Sequence, residues 1–137
     1  PDLAKGERHR IVFGGGMMGA MPSQREHRGL FWTINGKAVP EQAHLHEPFL
    51  HLRKGHSYVL ELVNETAWHH PIHLHGHIFR VLSNREKPVE EWGDTVLLDP
   101  DSQAEIAFVA DNPGDWMFHC HVLEHQASGM MATVRVA

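Results

Sequence analysis

Cysteine is almost missing from this sequence, with Cys120 the single copy in 137 residues. One cysteine cannot close an internal disulfide, so a disulfide-stapled scaffold is excluded while thiolate chemistry at that residue stays open. Long apolar runs are missing as well. None approaches the roughly 20 residues that a membrane span needs, and the opening stretch PDLAKGERHR has no apolar signal core. A membrane partner is therefore not expected. Positive charge is sparse, 12 Lys and Arg against 17 Asp and Glu for a net charge of −5, and it forms no stripe, which argues against nucleic acid as a partner. A sustained helical period is absent too. What the sequence has in excess is histidine, 14 residues, and so many imidazoles make metal chemistry the first hypothesis. With 42% hydrophobic and 21% charged residues the composition is globular. The length suits one hydrophobic core, so a single domain over 1–137 is expected, with 1–28 a leading strand followed by a Gly- and Met-rich loop. Pro1 in place of Met reads as the mark of a chain processed or cut from a longer one.

Short β-like runs punctuated by turn residues fill the sequence. Strands are expected over Arg8–Phe13, Leu30–Ile34, Phe49–Leu52, Ser57–Val63, His73–Leu82, Thr95–Leu98, Glu105–Val109, Trp116–His121 and Met130–Val136. Asn35-Gly36, Lys54-Gly55, Trp92-Gly93-Asp94, Asp99-Pro100-Asp101 and Asn112-Pro113-Gly114 fall between them as turns. Leu123–Ala127 reads as a single helical turn. So many short strands in one domain predict an all-β sandwich or barrel.

The chemistry is concentrated in two blocks, HPIHLHGH over residues 70–77 and HCHVLEHQASGM over residues 119–130. On a strand, side chains alternate faces, so His119 and His121 point one way and Cys120 the other. The two kinds of ligand then serve two different sites. A thiolate, two imidazoles and a weak axial thioether are the donor set of a blue-copper centre. Cys120, His125 and Met130 supply three of these, with Met131 as the other axial choice, and His70 is the candidate for the second imidazole. In the first block His73 and His75 share a face while Leu74 points to the core. If the two strands are neighbours, four imidazoles converge on one outward patch suited to copper or zinc.

The two blocks resemble the third and fourth copper-binding signatures of the multicopper oxidases, the family of laccases, ascorbate oxidase, bilirubin oxidase and bacterial copper-efflux oxidases. FWTINGKAV, NETAWHHPIHLHGHIFRVL, WGDTVLLDP and FVADNPGDWMFHCH also look like that family's C-terminal cupredoxin domain, so the resemblance covers nearly the whole chain. It implies a cupredoxin-like Greek-key β-sandwich or barrel with copper as cofactor. By the resemblance, His70, Cys120 and His125 are the equatorial type 1 ligands and Met130 the axial one. His73 binds the type 2 copper, and His75, His119 and His121 the type 3 pair. The implied activity is oxidation of a small electron donor, a phenol, an amine or Cu(I), with electrons passing through Cys120, His119 and His121 to reduce O2 to water. An axial Met is similar to the lower-potential, bacterial members. A periplasmic or extracellular location is implied as well.

The sequence departs from the family pattern in two places. The family's trinuclear cluster takes twice the four imidazoles available here, the others coming from an N-terminal domain through two His-x-His motifs. The sequence has one spare motif of that kind, His44-Leu45-His46, without the flanking Gly- and Trp-rich context. A second cupredoxin surface is therefore expected, from the parent enzyme's N-terminal domain or from a homo-oligomer, whose two-fold axis doubles the four imidazoles. A stand-alone blue-copper carrier is the alternative. The second departure is Gln126, where bacterial relatives carry an acidic residue thought to deliver protons; Glu124 is the nearby substitute. Around the ligands, His69 and His77 read as hydrogen-bonding neighbours, and Asp94 and Thr95 as a supporting pair. His44, His46, His51 and His56 read as polar positions, Met17, Met18 and Met21 as packing, and Trp68, Trp92 and Trp116 as core or rim aromatics.

Overall fold

Alternating apolar and polar residues over short runs produce strands, and no helix is found among the described residues. The computed structural model describes residues 1–15, 32–36, 48–85, 87–121 and 130–137. The strands are β1 Glu7–Gly15, β2 Trp32–Ile34, β3 Leu50–Leu52, β4 Ser57–Asn64, β5 His70–Leu74 and β6 Phe79–Asn84, followed by β7 Lys87–Gly93, β8 Thr95–Leu98, β9 Ser102–Val109, β10 Gly114–Cys120 and β11 Met131–Val136. They form a six-stranded sheet in the order β2-β1-β4-β9-β6-β7 and a five-stranded sheet in the order β3-β11-β10-β5-β8. This is the two-sheet, all-β architecture expected from the sequence.

The two sheets share one apolar core. From the first come Ile11, Phe13, Tyr58, Leu60, Leu62, Phe79, Ile106 and Phe108; from the second Ile72, Leu74, Leu98, Phe118 and Val134. Phe13 and Phe118 stack across the interior with ring centroids 5.9 Å apart. Each large apolar side chain removed from water contributes about 1.5–3 kcal/mol. The buried Tyr58 keeps its hydroxyl satisfied by accepting the Arg53 amide at 2.7 Å.

The sequence predicts one strand over His73–Leu82, and here the structure differs. The chain leaves the five-stranded sheet after Leu74 and joins the six-stranded sheet at Phe79. Gly76, with φ +75, makes the turn, and a Cβ there would stand 2.5 Å from Trp116 Cδ2. The Trp116 indole lies against Gly76 and donates Nε1–H to Asn112 O at 2.9 Å, while Asn112 Nδ2–H donates to Gly76 O at 3.1 Å. An uninterrupted apolar pattern hides this crossing, because both halves bury the same alternation. β7, absent from the sequence reading, is an edge strand with a mostly exposed side-chain pattern and therefore no apolar period to detect. Trp92 on it is 62% exposed, which makes it a rim aromatic, one of the two places expected for it. The other strands fall within a few residues of expectation. Leu30, most of the Gly- and Met-rich loop and Leu123–Ala127 lie outside the described residues.

Gly76 and Gly55 separate backbone strain from steric clash. Gly55 has φ +86 with open space where a Cβ would stand, so Gly55→Ala is expected to cost about 1–2 kcal/mol from the left-handed backbone alone. Gly76→Ala meets the same strain plus the indole, adding about 1–3 kcal/mol. Chemical denaturation of both variants checks this ordering.

Candidate metal centre

One pairing builds the centre. β5 and β10 run antiparallel with Phe118 opposite Leu74, His119 opposite His73 and Cys120 opposite Ile72. Directly opposed residues share a face. Cys120 therefore faces inward with Ile72, while His119 and His73 lie on the other side of the same sheet. The main chain continues the clamp beyond the ladder, with His121 N–H donating to Pro71 O at 2.6 Å and His75 N–H to Met117 O at 2.9 Å.

On the inner face, His70 and Cys120 are fully buried, with Cys120 Sγ 3.6 Å from His70 Nδ1. Met130 is fully buried in the same core cluster, and its carbonyl accepts the Cys120 amide at 3.1 Å. This separates the two axial candidates. Met131 pairs with His119 and so takes the imidazole face, leaving Met130 on the side of Cys120. His70 Nε2 lies 2.8 Å from the buried Thr66 hydroxyl. His125 lies outside the described residues, as do Glu124 and Gln126.

On the outer face the four imidazoles come together. Ring centroids are 4.6 Å apart for His73 and His75, 4.9 Å for His75 and His119, 5.1 Å for His73 and His121, and 5.6 Å for His73 and His119. The patch is less open than expected: His121 is exposed and His73 and His75 half-buried, but His119 is 4% exposed beneath its neighbours. Hydrogen bonds to carbonyl oxygens set the tautomers, since a carbonyl only accepts. His73 donates Nδ1–H to Asp94 O at 2.8 Å, and His119 donates Nδ1–H to Cys120 O at 2.8 Å, so each keeps a lone pair on Nε2. Nε2 of His119 consequently accepts Nε2–H of His75, also at 2.8 Å. Thr95 Oγ1, 3.2 Å from His73 Nδ1, donates to Asp94 Oδ1 at 3.0 Å, which is the supporting role expected of that pair.

Burial holds the His75 imidazole below its ordinary pKa of 6.5, and the neighbouring His73 and His121 push the same way against a smaller pull from Asp94. Burial also lowers His119, followed by His75, His73 and His121, against the opposing hydrogen bond to Cys120. Among the remaining histidines, His77 is buried and donates Nδ1–H to His75 O at 3.2 Å, while His69 turns outward and donates Nδ1–H to Asp99 Oδ1 at 3.0 Å. His51 and His56 are exposed; His44 and His46 lie outside the described residues, as do Met17, Met18 and Met21.

A sequence model of the multicopper oxidases matches residues 14–137. The chain belongs to the multicopper oxidase family. It is 42% identical over 104 residues to multicopper oxidase MmcO of Mycobacterium tuberculosis, covering 72% of this chain and 18% of that protein. It is 36% identical over 111 residues to multicopper oxidase mco of Staphylococcus aureus, covering 76% and 24%. The solved multi-copper oxidase of Pseudomonas thermotolerans superposes on 100% of this chain and 31% of that one, with a TM-score of 0.86 and 35% identity. That of Pseudomonas parafulva covers 99% and 31%, with a TM-score of 0.82 and 37% identity. The chain thus spans less than a third of the length of these relatives.

The donor geometry fits the copper that a multicopper oxidase domain carries. Cys120 Sγ and His70 Nδ1, 3.6 Å apart, are close enough that they would hold one copper ion together. His75 Nε2 and His119 Nε2, 2.8 Å apart, would likewise hold one ion between them. Among the described residues no three His, Cys, Asp or Glu side chains complete a cage.

The lowered pKa values give a signed expectation for chelator-treated protein. Below about pH 6.5 the unfolded chain takes up protons at His75 and His119 before the folded chain does, so stability is retained above that pH and lost as pH falls through the lowered folded values. Denaturant midpoints between pH 7.5 and 5 measure the slope. His75→Gln is expected to flatten it.

Proposed function

We propose that this chain supplies the type 1 copper site and half of the trinuclear cluster of a laccase-like multicopper oxidase. His70, Cys120, His125 and Met130 hold the first copper, His73 the type 2 copper, and His75, His119 and His121 the type 3 pair. The observation that carries this reading is the β5–β10 register, which sets Cys120 on one face of the sheet and His119 on the other, one peptide apart. With copper bound at these sites, the chemistry supplied would be one-electron oxidation of a reducing substrate coupled to the four-electron, four-proton reduction of dioxygen to water.

The chain's own residues do the rest. Ile72, Leu74 and Phe118 surround Cys120 with apolar surface, excluding water from the thiolate. Between the faces, the His119 Nδ1–H bond to Cys120 O adds a second link to the covalent one. Asp94 O and Cys120 O hold His73 and His119 with Nε2 as the ligating atom. The electron donor is a phenol, an amine or Cu(I), met at the His125 edge, and Glu124 stands in for the acidic residue that Gln126 replaces. The missing cluster ligands come from a second cupredoxin surface, in the rest of a longer enzyme or in a second copy. The chain's coverage of less than a third of its relatives supports this, as does the single spare His-x-His motif. The same reading puts the protein in the periplasm or outside the cell.

In the copper-loaded protein, Cys120→Ser is expected to abolish the intense blue absorption while circular dichroism stays unchanged; a surviving band overturns the ligand assignment. His73→Ala with His119→Ala is expected to remove cluster copper and oxidase activity and leave the blue colour, by elemental analysis and oxygen uptake. Met130→Leu is expected to raise the type 1 potential without bleaching the site, whereas Met131→Leu leaves the potential in place.

A further inference from the structure

Asn64 and Thr66 form a sealed polar network against the inner copper site. Thr66 is 2% exposed, Asn64 1% and His70 0%. Buried polar groups of this kind are costly unless each is paired. Asn64 Oδ1 accepts the Thr66 amide at 3.0 Å, which fixes the orientation of its carboxamide, and Asn64 Nδ2 donates to Trp68 O at 2.8 Å and Asp99 O at 2.9 Å. Asn64 lies on β4 in the six-stranded sheet, while Asp99 follows β8 of the other sheet, so this one side chain ties the sheets together behind the site.

The proton on Thr66 has two acceptors within reach, Trp68 O at 3.2 Å and the much closer Asn64 Oδ1. Oγ1 is 2.6 Å from Asn64 Oδ1, and two oxygens at that distance without a proton between them repel. The hydroxyl therefore donates to Asn64 Oδ1, and its lone pairs accept Trp68 N–H at 3.2 Å and, at 2.8 Å, the Nε2–H of His70. His70 thus carries its proton on Nε2, and its Nδ1 lone pair is the atom that faces Cys120 Sγ.

We propose that Thr66, held by Asn64, is a positioning residue that fixes the tautomer and orientation of His70 and raises the donor strength of its Nδ1. This rests on the type 1 reading of His70 and Cys120. A hydrogen bond accepted from the distal N–H of a ligating imidazole increases its basicity and favours Cu(II) over Cu(I).

The test uses copper-loaded protein with wild type, Thr66→Val and Thr66→Ser. Thr66→Val keeps the volume and removes the acceptor. It is expected to weaken Cu(II) binding about 10- to 100-fold, raise the type 1 potential and shift the Cu(II) electron-paramagnetic-resonance hyperfine splitting, with Thr66→Ser restoring all three. A folded Thr66→Val variant with wild-type potential and affinity overturns the proposal. Nitrogen-15 NMR of wild-type protein loaded with Cu(I) needs no variant: a slowly exchanging Nε2–H on His70 supports the network, and a proton on Nδ1 overturns it. A wild-type protein without a thiolate-to-copper band sinks the type 1 reading itself, a result distinct from a blue wild type indifferent to Thr66.

Discussion

The antiparallel contact between β5 and β10 is the constraint on which the rest of the site depends. Its register opposes Cys120 to Ile72 and His119 to His73. Because a strand alternates faces with each residue, one choice of register buries the thiol in the core and stacks the imidazoles outside. A slip by one residue would exchange the two, placing imidazoles in the apolar interior and the thiol at the surface. The apolar residues flanking the ligands hold the register, since a one-residue slip would cost Leu74 or Phe118 its buried position. The core therefore positions the chemistry as much as it stabilises the fold.

Around this contact the main chain does much of the aiming. Carbonyl oxygens of Asp94, Cys120 and His75 accept the Nδ1–H groups of His73, His119 and His77. These acceptors do not titrate, so they select the same tautomer wherever the imidazole is neutral. On the inner face the same task falls to a side chain, Thr66, whose hydroxyl is itself oriented by Asn64. Two sides of one sheet thus solve the same problem with different acceptors, in each case leaving the intended ring nitrogen with its lone pair.

The outer cluster carries a cost that the inner one avoids. Burial and the neighbouring imidazoles hold His75 and His119 below the ordinary imidazole pKa. That favours the neutral form of these two rings, whose lone pairs metal ligation needs. The hydrogen bond between His75 and His119 satisfies one such pair, and it is the bond that a shared metal ion would replace.

Local chemistry made much of this legible in the amino-acid sequence. The alternation in HLH and HCH, the lone cysteine between imidazoles and the short strands between turn residues established an all-β fold, two ligand faces and the residues on each. Contacts between distant segments decided what local pattern cannot contain. The crossing at Gly76 depends on Trp116, far along the chain, and β7 is a strand because β6 offers it an edge, not because its own residues alternate. Met130 separates from Met131 only once β11 is paired with β10. Thr66, an unremarkable residue in the run NETAWHH, becomes part of the site because its hydroxyl bonds both His70 and Asn64, and Asn64 is itself tied to the carbonyl of Asp99, which follows β8 of the other sheet. Side-chain type and spacing determined which groups can ligate; strand pairing and buried hydrogen bonds decided which of their atoms are left with a free lone pair.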